Sequence, residues 1–229
     1  ETIIHKLGIQ GGAPTYEGSG RVPGTFWGDP AFLMGERAGN LTAVTTVRDA
    51  IGGTSHRLTI LRQSANPFEL EVAGQIPNPQ RTAAIGKPGE QIYASRITGN
   101  RAFIVTFAQI DPVYIVDLTD PTDPFVAGEL EIPGFSSYLH PVTDNLLLGV
   151  GKDAVTEEGT TWFRGVNLRL FDVSSAADIK LLANYSFGKR GTDTAVLWDA
   201  HAFTIQDLGD TARITIPMRI AGEHVAATG

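Results

Sequence analysis

Cysteine is absent from this chain of 229 residues. Disulfide frameworks, thiolate zinc sites and cysteine nucleophiles are thereby excluded. A cysteine-free chain suits an oxidising compartment without requiring one. Long apolar runs are lacking as well. No uncharged stretch exceeds about a dozen residues, short of the roughly 20 that a membrane helix needs. Positive charge is in deficit, with 18 Lys and Arg against 25 Asp and Glu and a formal net charge of −7. The basic residues are scattered, so no stripe is available to neutralise a nucleic-acid backbone. Short catalytic motifs are missing too. Gly149-Val150-Gly151-Lys152 lacks the spacing of a phosphate loop, and Phe135-Ser136-Ser137 is not a nucleophile elbow. No cofactor is implied.

What the chain does have is turns and a repeat. Its 26 glycines and 13 prolines follow no short period, which excludes collagen and favours tight turns between short strands. DLTDPTDPFVAGELEI, from Asp117 to Ile132, aligns without a gap on DVSSAADIKLLANYSF, from Asp172 to Phe187, about 55 residues on. A looser copy, LTILRQSANPFELEVAGQI, runs from Leu58 to Ile76 and shares strand, polar turn, V-A-G and apolar end. Similarity at a fixed period marks one supersecondary unit stacked many times, and this period approaches that of four-stranded propeller blades.

The β-branched and aromatic runs Arg101–Phe107, Val113–Leu118, Asn145–Val150 and Val166–Phe171 read as strands. Ile110-Asp111-Pro112 reads as a turn, and Lys152 to Arg164 as a longer polar loop. Ser174 to Asn184 has the pattern of a short capped helix, but its gapless alignment on a proline-containing copy predicts turn plus strand. The expected fold is all-β, a β-propeller fragment of about four blades of four antiparallel strands. The blades span about residues 31–76, 91–132, 136–187 and an incomplete 196–229, within a single partial propeller, 1–229. The opening Ile3 to Ile9 would be the outer strand of a preceding blade. Neither end reads as a domain edge, so the chain is expected to be a piece of a longer protein and a larger ring.

The run RAFIVTFAQIDPVYIVDLTDPTDPFVAGELEIPGFSSYLHP, with the later GVNLRLFDVS, resembles bacterial secreted proteins carrying a C-terminal β-propeller distantly related to WD repeats. The opening IHKLGI and the later D-A-H-A-F are similar to the same family. The resemblance implies a secreted or envelope-attached bacterial propeller and supplies no catalytic residues. Ser174-Ser175-Ala176 departs from it where an Asp-Pro turn is expected.

The repeat places candidate site residues. Aligned on the turn that follows each first strand, Glu36, Arg96 and His140 share one register, with Asp199 and His201 near it. First strands line a propeller's central channel, so Glu36, Arg96, His140 and His201 would form a polar arc able to bind an anionic small molecule or a metal, with imidazoles as ligands or bases and Asp199 as a further candidate carboxylate. The alternative is that each ties one blade to its neighbour. No pair has the spacing of a helical zinc motif, and metal binding stays open. Asp117, Asp120 and Asp123 read as turn formers and not as calcium ligands. Trp27 and Trp198 are packing or binding aromatics, with packing favoured at Trp198. Trp162, Phe163 and Arg164 are a candidate recognition surface. The composite expectation is a non-catalytic extracellular or envelope scaffold for an unidentified protein or small molecule. Its alternative is a channel-sited, metal-assisted hydrolase or lyase.

Overall fold

A computed structural model describes residues 1–27, 30–107, 111–132, 134–157 and 160–222. The first two strands, β1 (Thr2–Gln10) and β2 (Ala13–Val22), form an antiparallel hairpin. Its turn is Gly11-Gly12, with φ of 61° and 84°, a left-handed pair that glycine adopts without steric cost. A short helix, α1 (Pro30–Leu33), leads into β3 (Met34–Arg37), β4 (Asn40–Arg48), β5 (Thr54–Gln63) and β6 (Leu70–Ile76). These four make a sheet in chain order with antiparallel registers.

The pattern recurs twice. Strands β7 (Gln91–Thr98), β8 (Arg101–Phe107), β9 (Asp111–Asp117) and β10 (Phe125–Ile132) form a second four-stranded sheet in order. Strands β11 (Phe135–Thr143), β12 (Leu146–Glu157), β13 (Thr160–Asp172) and β14 (Lys180–Phe187) form a third. Two 3₁₀ turns, Ala195–Leu197 and Ala200–Ala202, precede the hairpin β15 (Thr204–Asp207) and β16 (Ala212–Thr215). The expected fourth blade is thus a two-stranded sheet among the described residues, and its residues 223–229 lie outside them. So does Ile110 of the expected Ile110-Asp111-Pro112 turn, while Asp111 and Pro112 already belong to β9.

Two features of the sequence reading change. Most of Lys152 to Arg164 is strand: β12 reaches Glu157 and β13 begins at Thr160, pairing Ala154 with Phe163 and Val155 with Trp162 beyond a register shift at Lys152, while residues 158 and 159 lie outside the described residues. The β-branched and aromatic side chains of Val155, Trp162 and Phe163 suit extended backbone, and they outweigh the flanking charges. Strand β2 was hidden because APTYEGSGRV is rich in glycine, serine and proline and shows little alternation. By contrast, Ser174 to Ile179 is a turn and β14 follows it, as the repeat predicts.

The chain divides into two compact units, residues 1–104 with 114–127, and residues 105–113 with 128–229. The second sheet contributes strands to both. In the first unit, Leu33, Val44, Leu58, Ile60, Ile76, Ile92, Ala102, Ile104, Tyr114 and Val116 form one buried cluster. The second unit buries Leu139, Leu147, Val150, Val166 and Phe171. Second strands such as β8 are buried along nearly their whole length. They read as continuous apolar runs because both faces are covered.

The V-A-G element of the repeat has a structural cause. A Cβ on Gly74 would stand 2.4 Å from the carbonyl oxygen of Pro121, in the turn of the next sheet. A Cβ on Gly128 would stand 1.7 Å from the carbonyl oxygen of Ala176, the repeat's counterpart of Pro121. Each glycine therefore leaves room for the following sheet's turn. The turns themselves are closed by side chains: Asp117 accepts from the Thr119 amide at 2.7 Å, Asp120 from Thr122 at 2.8 Å and Asp172 from Ser174 at 2.9 Å. Asp117 and Asp120 are thus turn formers, and Asp123 instead pairs with Arg81.

Candidate functional site

The three first-strand candidates sit at sheet edges, each with a local partner. Glu36 on β3 pairs with Leu41 in register, and its carboxylate lies 3.3 Å from the Lys6 ammonium. That hydrogen bond raises the Lys6 pKa above the ordinary lysine value. Arg96 on β7 places its guanidinium carbon 4.9 Å from the ring centre of Phe32, a cation–π contact. His140 on β11 pairs with Leu148, and its Nδ1 lies 3.0 Å from the Tyr138 hydroxyl. The Phe203 ring is centred 4.8 Å from the imidazole.

Asp199 and His201 are not on a strand. His201 lies in the 3₁₀ turn Ala200–Ala202, and Asp199 caps that turn. The Asp199 carboxylate accepts from the His201 amide at 2.9 Å and contacts His201 Nδ1 at 2.9 Å. These bonds, the backbone one first, hold the Asp199 pKa below the usual aspartate value. The imidazole itself is 97% exposed. The D-A-H-A-F segment spends its polar groups on closing a turn in place of extending a strand. Among the described residues, no group of three or more His, Asp or Glu is placed to hold a metal ion.

The second candidate surface is built differently. Phe163 packs its ring against Phe107 and Phe135, at centroid separations of 5.9 and 5.0 Å, yet stays 38% exposed. Trp162, next along β13, is 43% exposed, with the Arg190 guanidinium 4.8 Å above its ring. Arg164 is exposed beside them. Phe163 thus anchors the strand, while Trp162 and Arg164 alternate with it and present an exposed aromatic and a cation on a paired hairpin, where the sequence suggested only a loop. Trp27 is similarly half open under Arg48, 5.0 Å away. Trp198 is not packed inside. It is 68% exposed and borders a groove lined by Thr194, Pro217, Met218 and Arg219.

Three features escaped the sequence. His56 is buried, with Nδ1 3.1 Å from the Thr46 hydroxyl and Nε2 3.0 Å from the Glu90 carbonyl. Burial pushes its pKa below 6.5, against the opposing pull of Glu90. Lys152 donates to the Thr192 carbonyl at 3.0 Å and lies 3.1 Å from the Asp193 carboxylate. A cavity of about 220 Å³ opens beside Arg37 in the first unit. Isolated charged residues in strand-rich sequence give no signal for any of these, because the partners are distant along the chain.

No helix in the described residues is long and apolar enough to cross a membrane. The chain is 37% identical over 205 residues to an uncharacterized protein of Archaeoglobus fulgidus, covering 90% of this chain and 28% of that protein. It is 33% identical over 192 residues to an uncharacterized protein of Methanocaldococcus jannaschii, covering 81% of this chain and 26% of that one. The chain thus spans only about a quarter of the length of these relatives. Both relatives are archaeal, whereas the sequence resemblance implied bacterial proteins. No solved structure gives a significant match. The family model for a beta propeller domain matches residues 1–228, in keeping with the repeated four-stranded sheets, and the chain belongs to that beta propeller domain family.

Proposed function

We propose that this propeller segment is a binding scaffold whose recognition surface is formed by Trp162, Phe163 and Arg164, with Arg190 over the tryptophan. The observation that carries the reading is a half-exposed Trp162 stacked under the Arg190 guanidinium, on a strand whose next residue, Phe163, is anchored against Phe107 and Phe135. Rigid, part-exposed aromatics with an arginine alongside are the residue types that dominate binding energy at protein interfaces. The polar arc supports the same reading in another way. Glu36, Arg96 and His140 each engage a nearby side chain, as blade-stabilising residues would. We extend the proposal to a secreted or envelope location, which the cysteine-free composition suits.

Photo-crosslinking tests the surface. A benzophenone amino acid at position 162 is expected to give one discrete adduct in the native environment. The same probe at Ile51, which is 95% exposed, is expected to give none of that adduct. The same adduct from both positions, or no adduct from position 162, would overturn the assignment.

A further inference from the structure

The cavity beside Arg37 lies within the first unit and is assembled from two sheets. From the first sheet come Gly35, Arg37, Ala38, Asn40, Thr42 and Ile60. Gly35 pairs with Thr42, and Thr42 pairs with Ile60, so this row projects to one face of the sheet. Arg37 and Asn40 are the next paired residues along the same face. The second sheet supplies Ile97, with Leu118, Thr119 and Pro121 from the turn that follows β9. A Cβ at Gly35 would stand 2.8 Å from Ile97 Cγ2. Glycine there therefore lets the second sheet approach and shape the wall.

Two observations distinguish this space from a packing gap. The first is its chemistry: Ile60, Ile97, Leu118 and Pro121 give one apolar side, while Asn40, Thr42 and Thr119 supply amide and hydroxyl groups. The second is Arg37. Neighbouring arginines are engaged, Arg62 with Glu71 at 2.8 Å and Arg96 over Phe32. Arg37, an exposed residue that lines the cavity, has no ion-pair or hydrogen-bond partner among the described residues. Its backbone is set at the base of a tight hairpin turn, where Ala38 and Gly39 both have the positive φ, 49° and 77°, that a two-residue turn of this kind requires.

We infer that this cavity binds a small organic carboxylate, its carboxylate held by the Arg37 guanidinium and its apolar body against Ile60, Ile97 and Leu118. A planar guanidinium matches a carboxylate with two parallel hydrogen bonds. The volume limits the ligand's size. It equals roughly seven waters at about 30 Å³ each and lies below the 300–1,000 Å³ usual for drug-sized ligands. A small acid therefore fills the space, whereas bare phosphate would leave the apolar wall unused. The site uses none of the residues of the aromatic surface on β13, so either proposal can fail alone.

The test is isothermal titration of the whole 229-residue chain with isobutyrate, 4-methylpentanoate and cyclohexanecarboxylate, each beside its primary amide, and with inorganic phosphate. Saturable binding of at least one acid is expected, with its amide and phosphate at least tenfold weaker. Arg37→Gln should weaken the acid by about tenfold or more, with Arg37→Lys intermediate, since lysine keeps the charge but not the fork. Thr119→Val, which removes only a hydroxyl, should cost severalfold and guards against a folding artefact, and Arg213→Gln should change nothing. Equal binding of acid and amide, equal binding of acid and phosphate, an unchanged Arg37→Gln, or no saturable binding by any acid would overturn the inference.

Discussion

His56 shows how much of one residue's character comes from partners far along the chain. Its imidazole is buried between the Thr46 hydroxyl and the Glu90 carbonyl, and burial lowers its pKa from 6.5. The neutral form is thus favoured on folding, while the unfolded chain binds a proton near pH 6.5. Stability from this group is complete above that pH and is lost as pH falls below it. The melting temperature should drop between pH 7.5 and 5.5, and His56→Gln should flatten that slope. An equal slope in both proteins would show that His56 does not titrate with unfolding. In the sequence His56 stands between Ser55 and Arg57 with no motif around it, and neither Thr46 nor Glu90 is a local neighbour. Glu36 and His140 were legible as sheet-edge residues because a turn follows each at fixed spacing. Asp199 and His201 were not, because their turn replaces the strand that the alignment assumed.

Elements were easier to read than side chains. Strands β8 and β9 carry runs of β-branched and aromatic residues, and the buried parts of β12 and β13 are rich in leucine and valine, as suits strands buried on both faces. The repeat itself records contacts as well as strands. Gly74 and Gly128 each admit the turn of the following sheet, so a conserved offset in the sequence becomes a conserved approach in space. Gly128→Ala should destabilise the chain by about 1–3 kcal/mol, the usual cost of forcing an extra methyl into a packed site. A urea melt would report this as a lower midpoint at unchanged slope. A shift below about 0.3 kcal/mol would show that the turn at Ala176 does not press on this strand. The long hairpin β12–β13 escaped because Lys152, Asp153 and Glu157 mimic a solvated loop. Strand pairing continues through them, to Glu157 opposite Thr160.

At the scale of the whole molecule, a family model over residues 1–228 and repeated four-stranded sheets agree on a propeller. A fold of this kind carries no chemistry by itself, and function has to be sought in particular sites. Two are proposed: the aromatic surface around Trp162 for a partner, and the Arg37 cavity for a small acid. The competing reading puts function in a channel lined by His140 and its counterparts. The most direct discriminating measurement is the affinity of the protein captured at position 162, determined for three forms of the chain. Trp162→Ala should weaken binding by about thirtyfold, the scale of a loss of 2 kcal/mol at an interface hot spot, while His140→Ala combined with His201→Ala should bind as the parent does. Undiminished binding by Trp162→Ala, with binding lost in the histidine variant, would contradict the account and return the channel to the front.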